Sequence, residues 1–167
     1  SRELRETALR TASSFKRRCE VYIRRSEQDT YGLIDQRRLR AAAALSRICR
    51  AMVSDCEEFF ASAEGAPLSK LDSSLAKLCD RVKTNYNESG RLIVGIYGAE
   101  NSSLKMEIES LQHVKNQVSI FQSRNRETMK SQALIEELAT SLAEHLDSID
   151  GLKSSRTQIE KEIRELN

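Results

Sequence analysis

The chain has 167 residues, of which 39% are hydrophobic and 31% charged, and it contains one Pro, six Gly and no Trp. This length allows one globular domain or a small elongated bundle, and the abundance of helix-forming residues argues against a sheet-rich fold. The net charge is only +2, although the charges are distributed unevenly. We predict an all-α fold: an elongated antiparallel three-helix bundle or coiled coil with a long C-terminal helix.

We expect one helical module with helical regions at about 2–62, 67–97 and 101–166. The first region carries two apolar seams at steps of three and four, which are separated by residues 26–32. This polar stretch has no aliphatic residue and ends in Gly32, and Gly destabilises a helix by about 1 kcal/mol relative to Ala. We predict a kink, a short break or a frayed turn there, with a continuous helix as the alternative.

A tight connection is predicted at residues 63–67, where Gly65 follows the end of one helix and Pro67 opens the next. The helix after it should run antiparallel to the end of the first region, because so few residues join them. Residues 87–100 leave two alternatives, since apolar residues 92–96 either continue this helix or form a short buried stretch after a break at Gly90.

The last region has an apolar seam that is interrupted at residues 122–132. From the helix lengths, we expect intramolecular cover to end near residue 130, which leaves the seam of 133–166 open. The N-terminal half of the first helix should overhang at the opposite end. Two overhanging seams predict a second chain, either a homodimer or a helical partner protein. The interface residues that we expect are Leu142, His145, Ile149, Leu152, Ile159 and Ile163.

A basic region lies between residues 15 and 50, where ten cations against four acids give a local charge of +6. Such residues are often only the solvated faces of a coiled coil. The alternative is a docking face for a microtubule, an anionic membrane or nucleic acid. The cations are Lys16, Arg17, Arg18, Arg24, Arg25, Arg37, Arg38, Arg40, Arg47 and Arg50.

Residues able to carry catalysis or bind metal are sparse. The four cysteines have no metal-site or disulfide-framework spacing, so we expect reduced, buried thiols. His113 and His145 lack the spacing of metal ligands, and His145 lies in the seam, where protonation would be disfavoured and would make assembly pH-sensitive. We predict no catalytic activity, no cofactor, no metal and no small-molecule substrate.

We therefore expect a non-catalytic coiled-coil scaffold that mediates oligomerisation in a cytoskeletal or chromosome-associated complex. The competing prediction is direct binding of an acidic polymer or surface by the basic region. An intracellular location, cytoplasmic or nuclear, is expected because the cysteine pattern is that of reduced, buried thiols. No apolar run approaches the roughly 20 residues of a membrane span. The outline is similar in architecture to membrane-curving BAR dimers and to spectrin-type or microtubule-associated helical modules, a resemblance of shape that assigns no residue.

Overall fold

The computed structural model describes residues 2–30, 35–98 and 102–166. These residues form four helices and contain no β-strand, which confirms the all-α prediction. The helices are α1 (Arg2–Thr30), α2 (Gln36–Ala63), α3 (Leu68–Tyr97) and α4 (Ser102–Leu166). The chain divides into two compact units, Ser1–Gln122 and Ser123–Asn167, which we call the bundle unit and the C-terminal unit.

Helices α1 and α2 lie side by side and run antiparallel. The Arg5 guanidinium, near the start of α1, donates a hydrogen bond of 2.9 Å to the carbonyl of Ala63 at the end of α2. Further along α1, Lys16 lies 3.6 Å from Glu57. The chain therefore reverses direction within the first predicted region, and the bundle has four helices where the sequence suggested three.

The start of α2 has a local cause. Asp35 has extended backbone (φ −79°, ψ 116°), and its carboxylate accepts a hydrogen bond of 2.9 Å from the backbone N–H of Arg37. This satisfies one of the N–H groups that lack a partner in the first turn of a helix. The predicted kink near Gly32 falls on residues 31–34, which lie outside the described part of the chain.

The prediction of an overhanging N-terminal seam was wrong. Ala8, Ala12, Phe15 and Cys19 on α1 have no exposed surface. They pack in one core with α2, α3 and the first part of α4, because the reversal between α1 and α2 brings the two seams of the first region together. Both seams of that region are thus covered within the bundle unit.

Helix α3 follows a short turn in which Gly65 has a φ of +63°, a conformation that suits glycine. The turn reverses the chain, and Lys77 on α3 lies 2.9 Å from Glu58 on α2. Of the two alternatives for residues 92–96, the continuous helix is correct. The helix ends at Tyr97, where Gly98 takes a φ of +79° and its N–H bonds to Val94 at 2.9 Å.

The first part of α4 closes the bundle against α1 and α3. Ser14 on α1 donates a hydrogen bond of 2.8 Å to Glu107, and Ser119 donates one of 2.7 Å to Asp72 on α3. Among the described residues, the most C-terminal buried side chain is Val118, about a dozen residues before the predicted end of cover near residue 130. The α4 side chains in this core are Leu104, Leu111, Val114 and Val118.

Candidate interaction surface

The C-terminal unit has an apolar seam without cover. Every described side chain from residue 123 to residue 166 is exposed, so this unit has no core of its own. The predicted interface leucines and isoleucines show 47% to 71% of their surface to solvent. They are Leu142, Ile149, Leu152, Ile159 and Ile163.

The spacing of these residues is that of a coiled-coil heptad, in which core positions alternate at steps of three and four. Position a is occupied at residues 135, 142, 149, 156 and 163, and position d at residues 138, 145, 152, 159 and 166. We call these ten residues the distal seam. Eight of the ten are Leu or Ile.

The predicted interface omitted part of the distal seam. Ile135, Leu138 and Leu166 are 64%, 61% and 87% exposed and belong to the same repeat. The signal that identifies them is the unbroken three-four spacing on both sides of Leu142. The omitted polar member is Arg156, whose Nε donates a hydrogen bond of 3.1 Å to Glu160 one turn later.

His145, the other polar member of the seam, is exposed. Its Nδ1 lies 2.7 Å from the carbonyl oxygen of Ser141, a distance that fits a hydrogen bond within the helix. His145 thus lies on the uncovered face of α4. The pH sensitivity of assembly that we expect from this residue stays a prediction.

The basic residues do not form a single patch. Three of the ten are held by neighbours within the bundle unit. Lys16 pairs with Glu57, Arg50 pairs with Glu27, and the Arg25 guanidinium lies 4.1 Å from the centre of the Tyr97 ring. A guanidinium over an aromatic face at this distance is a favourable cation–π contact.

The remaining arginines are Arg18, which is half-buried, and six that are exposed without an ion pair in the described part of the chain: Arg17, Arg24, Arg37, Arg38, Arg40 and Arg47. Arg17 and Arg24 are seven residues apart, as are Arg40 and Arg47. That spacing puts each pair on one face of its helix, away from the core positions. These four arginines are the strongest remaining candidates for docking an acidic partner.

A groove between α1 and α2 is lined in part by three of the ten basic residues. Its charged lining comprises three cations and three acids, with Ile23 and Val53 between them. An anionic ligand in the groove would therefore meet carboxylates as often as cations. The charged lining residues are Lys16, Arg24, Arg50, Glu20, Glu27 and Glu57.

An acid–base cluster joins α2 to α3. Hydrogen bonds from Lys77 and Arg81 lower the pKa of Glu58, whereas burial raises the pKa of Asp55 against the opposing effect of Arg81. The hydrogen bond to Glu58 in turn raises the pKa of Arg81. These groups neutralise one another across the helix interface, which is the arrangement of a structural ion-pair network.

The four cysteines are free and buried, as predicted. A hydrogen bond with Cys49, followed by burial, raises the pKa of Cys19, and burial raises the pKa of Cys56 to about 12 and that of Cys79 to about 11. Such thiols stay protonated and unreactive at neutral pH. The described residues contain no group of three or more His, Cys, Asp or Glu side chains placed to hold a metal ion.

No protein-family model, curated protein or solved structure matches the chain. Within the described residues, none of the helices has a stretch that is long and apolar enough to span a bilayer.

Proposed function

We propose that this protein is a non-catalytic helical assembly module that associates with a second copy of itself through the distal seam. The observation that carries the proposal is the set of eight exposed Leu and Ile side chains in heptad spacing. Burial of such a side chain contributes about 1.5–3 kcal/mol. If a second copy packs against the seam, the apolar side chains of both chains become buried and both contribute this stabilisation to the dimer. Heptad spacing favours pairing as a coiled coil.

The bundle unit also supports this proposal, because helices of the same chain complete its core. Its core is filled by α1, α2, α3 and the first part of α4, and its ion pairs join neighbouring helices. A folded bundle carrying an open heptad seam is suited to connecting chains. The cytoskeletal or chromosome-associated setting stays a prediction.

The test is sedimentation velocity of three proteins over a range of concentrations: the unmodified chain, Ile149→Asp and Ser154→Asp. Ile149 is an a position of the distal seam, whereas Ser154 lies on the opposite face of the same helix. We expect Ile149→Asp to weaken dimerisation at least 100-fold, because both copies lose an apolar contact and gain a buried charge. Ser154→Asp adds the same charge and should dimerise normally. An unmodified chain that stays monomeric at high micromolar concentration would refute the proposal.

A second candidate function is the binding of an acidic polymer or surface by the arginines of α1 and α2. It is favoured by the exposure of Arg17, Arg24, Arg40 and Arg47 without ion pairs in the described part of the chain. Contacts with a polyanion weaken steeply as salt rises, whereas apolar pairing does not.

Co-sedimentation with microtubules, anionic vesicles and DNA at low and moderate salt tests this candidate. The variant changes those four arginines to Glu. A matched variant makes four such changes at exposed cations elsewhere: Lys83, Arg124, Arg126 and Lys130. Specific docking predicts that only the first variant loses binding. Equal losses would show a general charge effect, and absence of binding at low salt would exclude this candidate.

A further inference from the structure

Resting on the proposed self-association, we infer that two copies pair antiparallel along residues 135–166, with the twofold axis between Asp150 and Gly151. The partner surface is thus the same distal seam of a second chain in reversed direction. Three features of the C-terminal unit support this arrangement: the register of the seam with itself, the location of its two polar residues, and its charge distribution.

The distal seam is in register with its own reverse. In an antiparallel coiled coil each a position of one helix packs beside a d position of the other. Reversal about the point between Asp150 and Gly151 brings every a residue of one copy against a d residue of the second. The layers so formed are Ile135 with Leu166, Leu138 with Ile163, Leu142 with Ile159, His145 with Arg156, and Ile149 with Leu152. No residue of the seam is left without an opposite layer.

The polar residues meet each other in this register. His145 of one copy lies opposite Arg156 of the second, so neither faces a Leu or an Ile. Moving one helix by a heptad would place each against an apolar residue and would leave part of the seam uncovered. A parallel dimer would instead put Arg156 against Arg156 in one layer, which brings like charges together in a partly desolvated position.

The charges of the C-terminal unit also favour the antiparallel arrangement. Residues 136–150 contain five acids and neither Lys nor Arg, giving −5. Residues 151–165 contain four cations and three acids, giving +1. Antiparallel pairing sets the acidic half of each copy against the slightly basic half of the other. Parallel pairing would set the two acidic halves side by side, within about one Debye length of each other.

Spin labels on the outer face of α4 test the orientation. Thr140, Ser154 and Lys161 lie on the face opposite the distal seam, and Thr140 and Lys161 are equally far from the inferred twofold axis. Each is changed to Cys in turn and labelled in the full chain. The buried native thiols should react little, and the labelled amount in the unmodified chain gives the background.

The antiparallel register predicts a specific pattern of inter-spin distances in pulsed dipolar spectroscopy. At 1.5 Å rise per residue, the labels of the two copies are offset along the axis by roughly 32 Å for Thr140→Cys and Lys161→Cys but by roughly 10 Å for Ser154→Cys. The first two distances should therefore agree with each other and exceed the third. Dilution with excess unlabelled chain should abolish the coupling, which shows that it is intermolecular.

The outcomes separate the inference from the proposed function. Equal distances at all three sites, with a dimeric mass, would overturn the antiparallel orientation and retain self-association. Long distances that differ between Thr140→Cys and Lys161→Cys would overturn the register. A monomeric mass without intermolecular coupling would overturn both the inference and the proposed function.

Discussion

The two units of this protein use the same kind of sequence pattern with opposite results. In the bundle unit, apolar residues at steps of three and four are buried, and Phe15, Leu75 and Leu111 have 1% or less of their surface exposed. In the C-terminal unit, the same spacing leaves Leu142 and Leu152 at 61% and 71%. The difference lies in whether other helices of the chain are available to cover the seam.

Helix α4 makes the comparison direct because it contributes to both units. Before residue 119 it contributes Leu104, Leu111, Val114 and Val118 to the bundle core, and from residue 123 onward no described side chain is buried. Heptad spacing therefore predicts a requirement for cover without saying which chain supplies it. Substitutions that affect one unit and spare the other test this distinction.

The largest effect is expected from Phe15→Ala in the bundle core. Removal of a fully buried phenyl ring should lower the free energy of unfolding of the bundle by about 3–5 kcal/mol. Tyrosine fluorescence during urea unfolding reports this unit selectively, because all four tyrosines precede residue 98 and the chain has no Trp. Dimerisation through the distal seam should change little.

The reverse is expected for Leu152→Ala, which should spare the tyrosine transition and weaken dimerisation about tenfold or more. Equal effects of either variant on both measurements would contradict the separation of the two units.

A smaller effect is expected from Arg5→Gln, because this guanidinium connects the start of α1 to the turn after α2. It donates hydrogen bonds to the carbonyls of Ala63 and Ala66, and such charged bonds contribute about 1.5–3 kcal/mol. The loss should appear in the tyrosine transition. Arg17→Gln is the matched control, since Arg17 is exposed without an ion pair in the described residues, and it should be close to neutral.

Asp35→Ala should destabilise the bundle unit by about 1 kcal/mol through loss of the N-cap of α2. Asp35→Asn keeps an acceptor oxygen at the same place and should retain most of the stability. Urea unfolding of both variants distinguishes a cap from a general charge effect. If Asn were as destabilising as Ala, the capping role would be wrong.

The smallest effect is expected from Glu58→Gln, and it should depend on pH. Hydrogen bonds from Lys77 and then Arg81 hold the pKa of Glu58 below its ordinary value. A carboxyl whose pKa is lowered by folding stabilises the folded state above its unfolded-state pKa, and this contribution is lost as the pH falls through the folded-state pKa. The small stability gap between the unmodified chain and Glu58→Gln should therefore be present at pH 7 and close in acid. Glu64→Gln, at an exposed acid without an ion pair in the described residues, serves as the control.

Much of the fold was predictable because local signals and periodicity agree. Gly65 and Pro67 mark a turn by their backbone preferences, and the three-four spacing identifies each helix and its buried face. The reversal between α1 and α2 was not predicted. Residues 26–32 indicate weak helix propensity but carry no information on the direction of the chain after them. That direction depends on packing between helices, and Phe15 and its neighbours lie in one core with residues of α2, α3 and α4.

The candidate interaction surface was predictable in part for the same reason. The distal seam follows from spacing alone, although the predicted interface omitted Ile135, Leu138, Arg156 and Leu166. The pairing of Lys16 with Glu57 and the contact of Arg25 with Tyr97 join residues far apart in the sequence, so one sequence could not separate these cations from exposed ones such as Arg17. Of the ten basic residues, the structure leaves Arg17, Arg24, Arg40 and Arg47 as the strongest candidates for docking an acidic partner.

Hydrogen exchange at several protein concentrations shows whether a second chain covers the distal seam. Amides of residues 135–166 lie in a helix that has no core of its own, so in a monomer they should exchange rapidly. We predict that their protection rises with protein concentration across the micromolar range, while protection of residues 36–63 stays constant because α2 is covered within its own chain. Protection of residues 135–166 that is weak and independent of concentration, together with a constant monomeric mass, would show that no second copy covers the distal seam.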